Sequence, residues 1–249
     1  WLLSIINDTL ISTGASKYGV IATPFFHPWD QFIIAVNIPG KAESFVVLGA
    51  HPVSVNHADP VGGRVPAADD DGSRTMTLET LRVLLFSKNV LEGKAEHRIQ
   101  SHSYSGEKGG LLVSQAIFQA YEKGVRMLRL CCRRIVAGRE PQFGLMMHFV
   151  HEPLMDFAKL VIDEAWAKTG CGCFCGSYHT SANRTGYPTI FIIEAEFNLT
   201  STHLHGDNLT NYLDYYHMIY HAEYILALTF ERKFAELKNA VMRKHGLGR

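Results

Sequence analysis

Three groups of residues in this chain have types and spacings suited to chemistry. The first is the acidic triplet Asp69-Asp70-Asp71, followed by Gly72-Ser73 and then an apolar pattern at helical spacing. It reads either as a helix N-cap, where the helix dipole favours carboxylates, or as a set of cation ligands. The second is His51, which follows the apolar run Ser44–Gly49 by two residues. A histidine and an aspartate brought together at strand ends are borderline-hard ligands that suit zinc. The third is Cys171-Gly172-Cys173-Phe174-Cys175, which reads as a metal site, a redox site or a tight disulfide. There are 13 histidines in the chain, and a lone one is more often surface or satisfied core than ligand, so only those inside a pattern count.

The elements that must position these groups follow from hydrophobic periodicity. Residues 1–13 carry apolar positions at helical spacing and stop at Gly14. The run Phe32–Ile38 closes at Pro39-Gly40, and Ser44–Gly49 is a short β-branched run of the kind that forms a buried strand. After a Pro/Gly/Asp-rich loop at 52–73, Leu78, Leu81, Leu84 and Leu85 predict an amphipathic helix. Glu107 and Lys108 follow a predicted strand at the turn Ser105-Gly106. Gly109-Gly110 then opens a helix marked by Leu111, Leu112, Ile117, Phe118 and Tyr121. Met127–Leu130 predicts a strand with Cys131 at its end, and Phe157, Leu160, Val161 and Ala165 a third helix. Thr189–Ile193 predicts a strand and 212–238 a long final helix. Short apolar strands alternating with helices imply an α/β fold with a doubly wound, mostly parallel mixed sheet flanked by helices. Such sheets bind ligands beyond the carboxyl ends of their strands, where His51, Cys131 and Glu107 fall. No repeat or linker divides the chain, so a single domain over 1–249 is expected.

Composition narrows the function classes. With 249 residues, 47% of them hydrophobic, the chain can bury a substantial core. Its 24 basic and 24 acidic residues cancel and form no block, which leaves no electrostatic footprint for nucleic acid or an anionic membrane. The apolar runs are too short for a membrane span. Glycosylation sequons at Asn7, Asn183, Asn198 and Asn208 point to the secretory pathway. The abrupt start at Trp1, with no signal segment, is what a trimmed mature form would give. Five cysteines leave at least one thiol unpaired.

Several stretches together resemble the secreted fungal and bacterial leucine aminopeptidases, the di-zinc aminopeptidase family of the zinc-peptidase clan. They are GASKYG at 14–19, GAH at 49–51, ADDDGS at 68–73 and YSGEKGGLLVSQAIF at 104–118. Further on come Cys171 to Cys175, GYP at 186–188, EAEF at 194–197 and the His205 segment. They follow in family order and spacing from residue 1 to about 230. The resemblance implies removal of N-terminal residues from peptides by two zinc ions that share an aspartate and a water, with a glutamate as base. Matched position by position, His51 is a ligand of one zinc, Asp70 the bridging carboxylate, Glu107 the base and His205 a ligand of the other zinc. The resemblance also implies a Cys171–Cys175 disulfide, which would leave Cys131, Cys132 and Cys173 as thiols.

Other positions depart from the family pattern. A glutamate ligand is replaced by Lys108 and an aspartate ligand by Cys131, and the aspartate that orients the first histidine becomes Val53. The tyrosine that helps hold the substrate oxyanion is replaced by Cys173, and a Ser-Asp-His triplet becomes Gly176-Ser177-Tyr178-His179 with one residue inserted. Cys173 and Tyr178 are the expected substrate contacts on this segment. An ammonium in place of a carboxylate beside a dication costs several kcal/mol per unit-charge pair at ~4 Å and an effective dielectric of about 20. The Lys108 position is therefore expected to hold no zinc, while His51, Asp70 and Cys131 form a plausible shell for at most one ion.

Three functions compete. The first is a divergent enzyme on an amine- or amide-bearing small molecule, with Glu107 as general acid/base and Lys108 as cationic or amine catalyst. The second is a weak mono-zinc peptidase, and the third a non-catalytic protein that binds a peptide N-terminus. A short peptide or small molecule is the expected partner in each.

Overall fold

The computed structural model describes residues 1–27, 32–51, 73–106, 110–122, 128–133, 143–162, 166–169, 176–193 and 215–233. Their elements run α1 (Leu2–Ser12), a 3-10 turn (Ala15–Tyr18), β1 (Ile21–Phe25), β2 (Ile33–Ile38), β3 (Phe45–Ala50), α2 (Ser73–Phe86) and α3 (Lys88–Leu91). Then come β4 (Arg98–Ser103), α4 (Leu112–Glu122), β5 (Leu128–Arg133), β6 (Phe143–Met146), α5 (Glu152–Val161), β7 (Trp166–Thr169), α6 (Tyr178–Arg184), β8 (Thr189–Ile193) and α7 (Tyr215–Lys233).

The eight strands form one sheet in the order β1-β2-β4-β3-β5-β8-β6-β7. Its centre, β4-β3-β5-β8, is parallel; β1 and β2 pair antiparallel at one side, and β6 pairs antiparallel with β8 at the other. The α/β mixed sheet with flanking helices is thus the predicted one. Side chains alternate across it, as the two-residue period of a strand requires. Ile34, Val36, Ile38 and Leu48 pack with Ile6, Leu10, Leu81, Leu84 and Ile225 of the helices on one face. Ile33, Val47, Phe191 and Ile193 pack on the other with Val113, Ile117, Phe118, Tyr178 and Ala182. A third cluster joins Phe143, Leu145, Ile190 and Ile192 to α5 and α7.

Periodicity located the apolar elements, left the strand expected before Ser105-Gly106 without bounds, and missed the short ones. β4 reads Arg-Ile-Gln-Ser-His-Ser, so no apolar run delimits it, although Gln100, Ser101 and His102 are all buried. β1 contains Pro24 at the sheet edge, where a missing N–H is tolerated. β6, β7, α3 and α6 are four to seven residues long. α5 ends at Val161, and Ala165 lies outside the described residues. β5 continues to Arg133, so Cys131 sits inside this strand rather than at its end. Of the final helix expected over 212–238, residues 215–233 are described and helical.

Candidate functional site

β3 and β4 run parallel with Gly49 opposite His102 and Ala50 opposite Ser103, so both chains leave the sheet at the same end. His51 follows β3 at that end and is fully buried. The chain leaving β4 is fixed as it turns. The Tyr104 N–H donates to the Ala50 carbonyl at 2.8 Å, and the Ser105 hydroxyl donates to the Phe32 carbonyl at 2.8 Å. Gly106 takes a positive φ of 67°, a conformation open to glycine at no steric cost. Glu107 and Lys108 come next and lie outside the described residues.

Just before α4, Gly110 and Leu111 both have a positive φ, 97° and 63°. A left-handed leucine costs about 1–2 kcal/mol, strain held immediately before α4. The Leu111 carbonyl accepts the Gln115 N–H and the Ser114 hydroxyl, each at 3.0 Å, which starts the helix. The Ser114 and Ser181 hydroxyls, 2.8 Å apart, then join α4 to α6.

Tyr178, expected against substrate, is placed otherwise. It is fully buried, and its hydroxyl donates to the Gly49 carbonyl at 2.7 Å. Its ring stacks on Tyr104 at 4.6 Å and 28°, and meets His51 edge-on at 6.1 Å and 70°. The tyrosine therefore supports the floor beneath His51. Neighbouring His179 stacks on Phe191 at 4.3 Å, and its Nε2 donates to the His148 carbonyl at 3.3 Å. Burial pushes the His179 imidazole down to about 3, against that hydrogen bond.

A polar network that the sequence pattern did not suggest lies under this floor. His102 Nδ1 pairs with the Tyr104 hydroxyl at 2.8 Å and Nε2 with Gln100 Oε1 at 3.1 Å. Gln100 Nε2 donates to Asn37 Oδ1 at 2.5 Å, so Oε1 is the acceptor side, and Tyr121 also donates to it at 3.0 Å. His102 Nε2 therefore carries the proton and Nδ1 accepts from Tyr104. Burial holds this imidazole neutral, down to about 3, and pushes the Tyr121 hydroxyl up to about 12. The available signal was the two-residue spacing of Gln100, His102 and Tyr104, three polar side chains on one strand face.

The remaining sequence candidates are only partly placed. Cys131 on β5 is paired with Leu48, three residues before His51, roughly 10 Å back along the strand direction. Asp70, Cys173 and His205 lie outside the described residues. Among the described residues, no group of three or more His, Cys, Asp or Glu is placed to hold a metal ion.

No protein-family model matches the chain. Over 96% of its length it is 42% identical to Leucine aminopeptidase 1 of Pyrenophora teres f. teres, and it spans 64% of that protein. In architecture it is similar to the LapA aminopeptidase of Legionella pneumophila, with a TM-score of 0.79 and 22% identity over 94% of this chain and 63% of that one. It is also similar to an Acidobacteriales bacterium glutaminyl cyclase, with a TM-score of 0.63 and 14% identity over 92% of this chain and 84% of that one.

Proposed function

The chain belongs, over the part of them that it spans, to the zinc aminopeptidase family of the fungal leucine aminopeptidases, and from that premise we propose a divergent member acting on an amine- or amide-bearing small molecule or short peptide. In this reading the inherited site keeps its frame and has lost its two-metal chemistry. Glu107 is the general acid/base, Lys108 the cationic or amine group beside it, and His51, Asp70 and His205 are polar supports. Cys173 faces the substrate, in place of the tyrosine that the family uses against the oxyanion.

One observation carries the reading. β4 is bonded to β3 up to the Tyr104–Ala50 hydrogen bond, three residues before Glu107, while the donors that the sequence supplies around it differ from the family's. The donor set does not fit a two-zinc centre. Lys108 stands where an acidic ligand is needed, and Cys131 is one strand over and roughly 10 Å back from His51. The similarity in fold to a glutaminyl cyclase is in keeping with a scaffold that hosts more than one chemistry.

A second reading, a weak mono-zinc aminopeptidase, is favoured by the 42% identity to Leucine aminopeptidase 1 and by the retention of His51, Asp70, Glu107 and His205. The two part on metal. Turnover should be assayed in chelator-treated buffer against aminoacyl amides, free amines and a leucine chromogenic amide. The first reading expects turnover that survives the chelator, disappears in Glu107→Gln and leaves stability within about 1 kcal/mol of the parent. Robust leucine amide hydrolysis abolished by the chelator would establish the second. Unchanged turnover in both Glu107→Gln and Lys108→Glu would overturn the first.

The four sequons support a secreted glycoprotein, and Cys171 and Cys175 are proposed as a disulfide. Balanced charge argues against a nucleic-acid partner. Among the described residues, no helix is long and apolar enough to cross a membrane.

A further inference from the structure

We propose that Tyr104 and Tyr178 act as positioning residues, a two-ring clamp that holds His51 in register with the turn leading to Glu107. The inference rests on the reading that His51 and Glu107 serve one site. Three contacts, all from outside β3, fix its last two residues and His51 just after them. Tyr178 donates to the Gly49 carbonyl at 2.7 Å, the Tyr104 N–H donates to the Ala50 carbonyl at 2.8 Å, and the Tyr178 ring lies edge-on to His51 at 6.1 Å.

The two rings are in turn locked together. They stack at 4.6 Å, and Tyr104 fills the space that a side chain at Gly49 would need, since a Cβ there would lie 2.5 Å from Tyr104 Cε2. The far end of Tyr104 is tied as well, its hydroxyl donating to neutral His102. None of the linked side chains His102, Tyr104, Tyr178 and His51 is more than 1% exposed, so solvent does not loosen the clamp. Tyr104 stands three residues before Glu107, and Tyr178 three after Cys175. The clamp thus joins both site-bearing segments to the end of β3, and displacements near 1 Å at reacting groups are costly to catalysis.

The test reads the His51 ring directly. Protein labelled with 13C-histidine is compared at one pH with Tyr178→Phe and Tyr104→Phe, following the His51 Cε1–Hε1 signal. Both variants keep the aromatic ring and its ring current, so a change in that signal reports displacement of His51 rather than loss of a neighbour. The clamp predicts that the His51 signal shifts and broadens in at least one folded variant, while that of His221 on α7 stays in place. A packing role alone would lower the urea midpoint and leave the native His51 signal where it was. Should Tyr178→Phe fail to fold, Tyr104→Phe, which loses the hydroxyl bond to His102, carries the test. An unmoved His51 signal in every folded variant overturns the clamp. If Glu107→Gln still abolishes turnover, the clamp alone falls; if His51 moves while turnover ignores Glu107→Gln, the proposed function alone falls.

Discussion

Acid should destabilise this protein well before its carboxylates titrate, because two imidazoles are kept neutral by burial. His102 and His179 are both held at about 3, against an ordinary value of 6.5. Between those limits the unfolded chain binds a proton at each position and the native chain does not, so stability falls as pH falls through 6.5. For each residue the loss from pH 7.5 to 5.5 is the ratio of unfolded-state protonation factors, about tenfold or about 1.4 kcal/mol. The two together remove about 2.7 kcal/mol, a large share of a typical 5–15 kcal/mol. The assay is urea denaturation at the two pH values for the parent, His179→Phe and His102→Gln. Each substitution lowers stability at pH 7.5 and removes about 1.4 kcal/mol from the difference between the two pH values. His179→Phe keeps the stack on Phe191, so the change in slope is separable from loss of packing. A parent protein equally stable at both pH values would refute the reasoning. So would variants that keep the full difference.

Three further outcomes are expected. Gly49→Ala should cost about 1–3 kcal/mol by urea titration, because its Cβ would press on Tyr104, which is itself pinned by Tyr178 and His102. Leu111→Gly should raise stability by up to about 1 kcal/mol by releasing a left-handed leucine; a loss would show that the leucine side chain outweighs the strain. Thiol counting by intact mass should find Cys171 and Cys175 oxidised, and five alkylatable cysteines in the native protein would exclude the bridge.

The apolar framework was legible in the sequence because its strands are hydrophobic runs closed by Gly or Pro. Thr189–Ile193 is found with its predicted bounds, and Ser44–Gly49 one residue from them. The strand expected before Ser105-Gly106 came without bounds, and the burial of β4 escaped because its polar residues satisfy one another. Gln100, His102 and Tyr104 look like a solvated strand until Asn37 and Tyr121, distant in sequence, supply their partners. Tyr178 was misjudged for a related reason: a residue beside a family motif is read as facing substrate, whereas only the fold shows its hydroxyl bonded to a carbonyl 129 residues away. Cys131 was placed by the last apolar residue of its run, and backbone pairing carried the strand two residues further. The place of His51 directly after a buried strand was legible from Gly-Ala-His, and the residue is itself buried there.

The central claim, that the site has lost its two-metal chemistry while keeping its frame, is tested most directly by metal content. Protein purified without chelator, equilibrated with zinc and desalted, should carry at most one tightly held zinc per chain by elemental analysis. Lys108 replaces one ligand, and Cys131 is set back from His51. Two tightly bound zinc ions per chain would contradict the account.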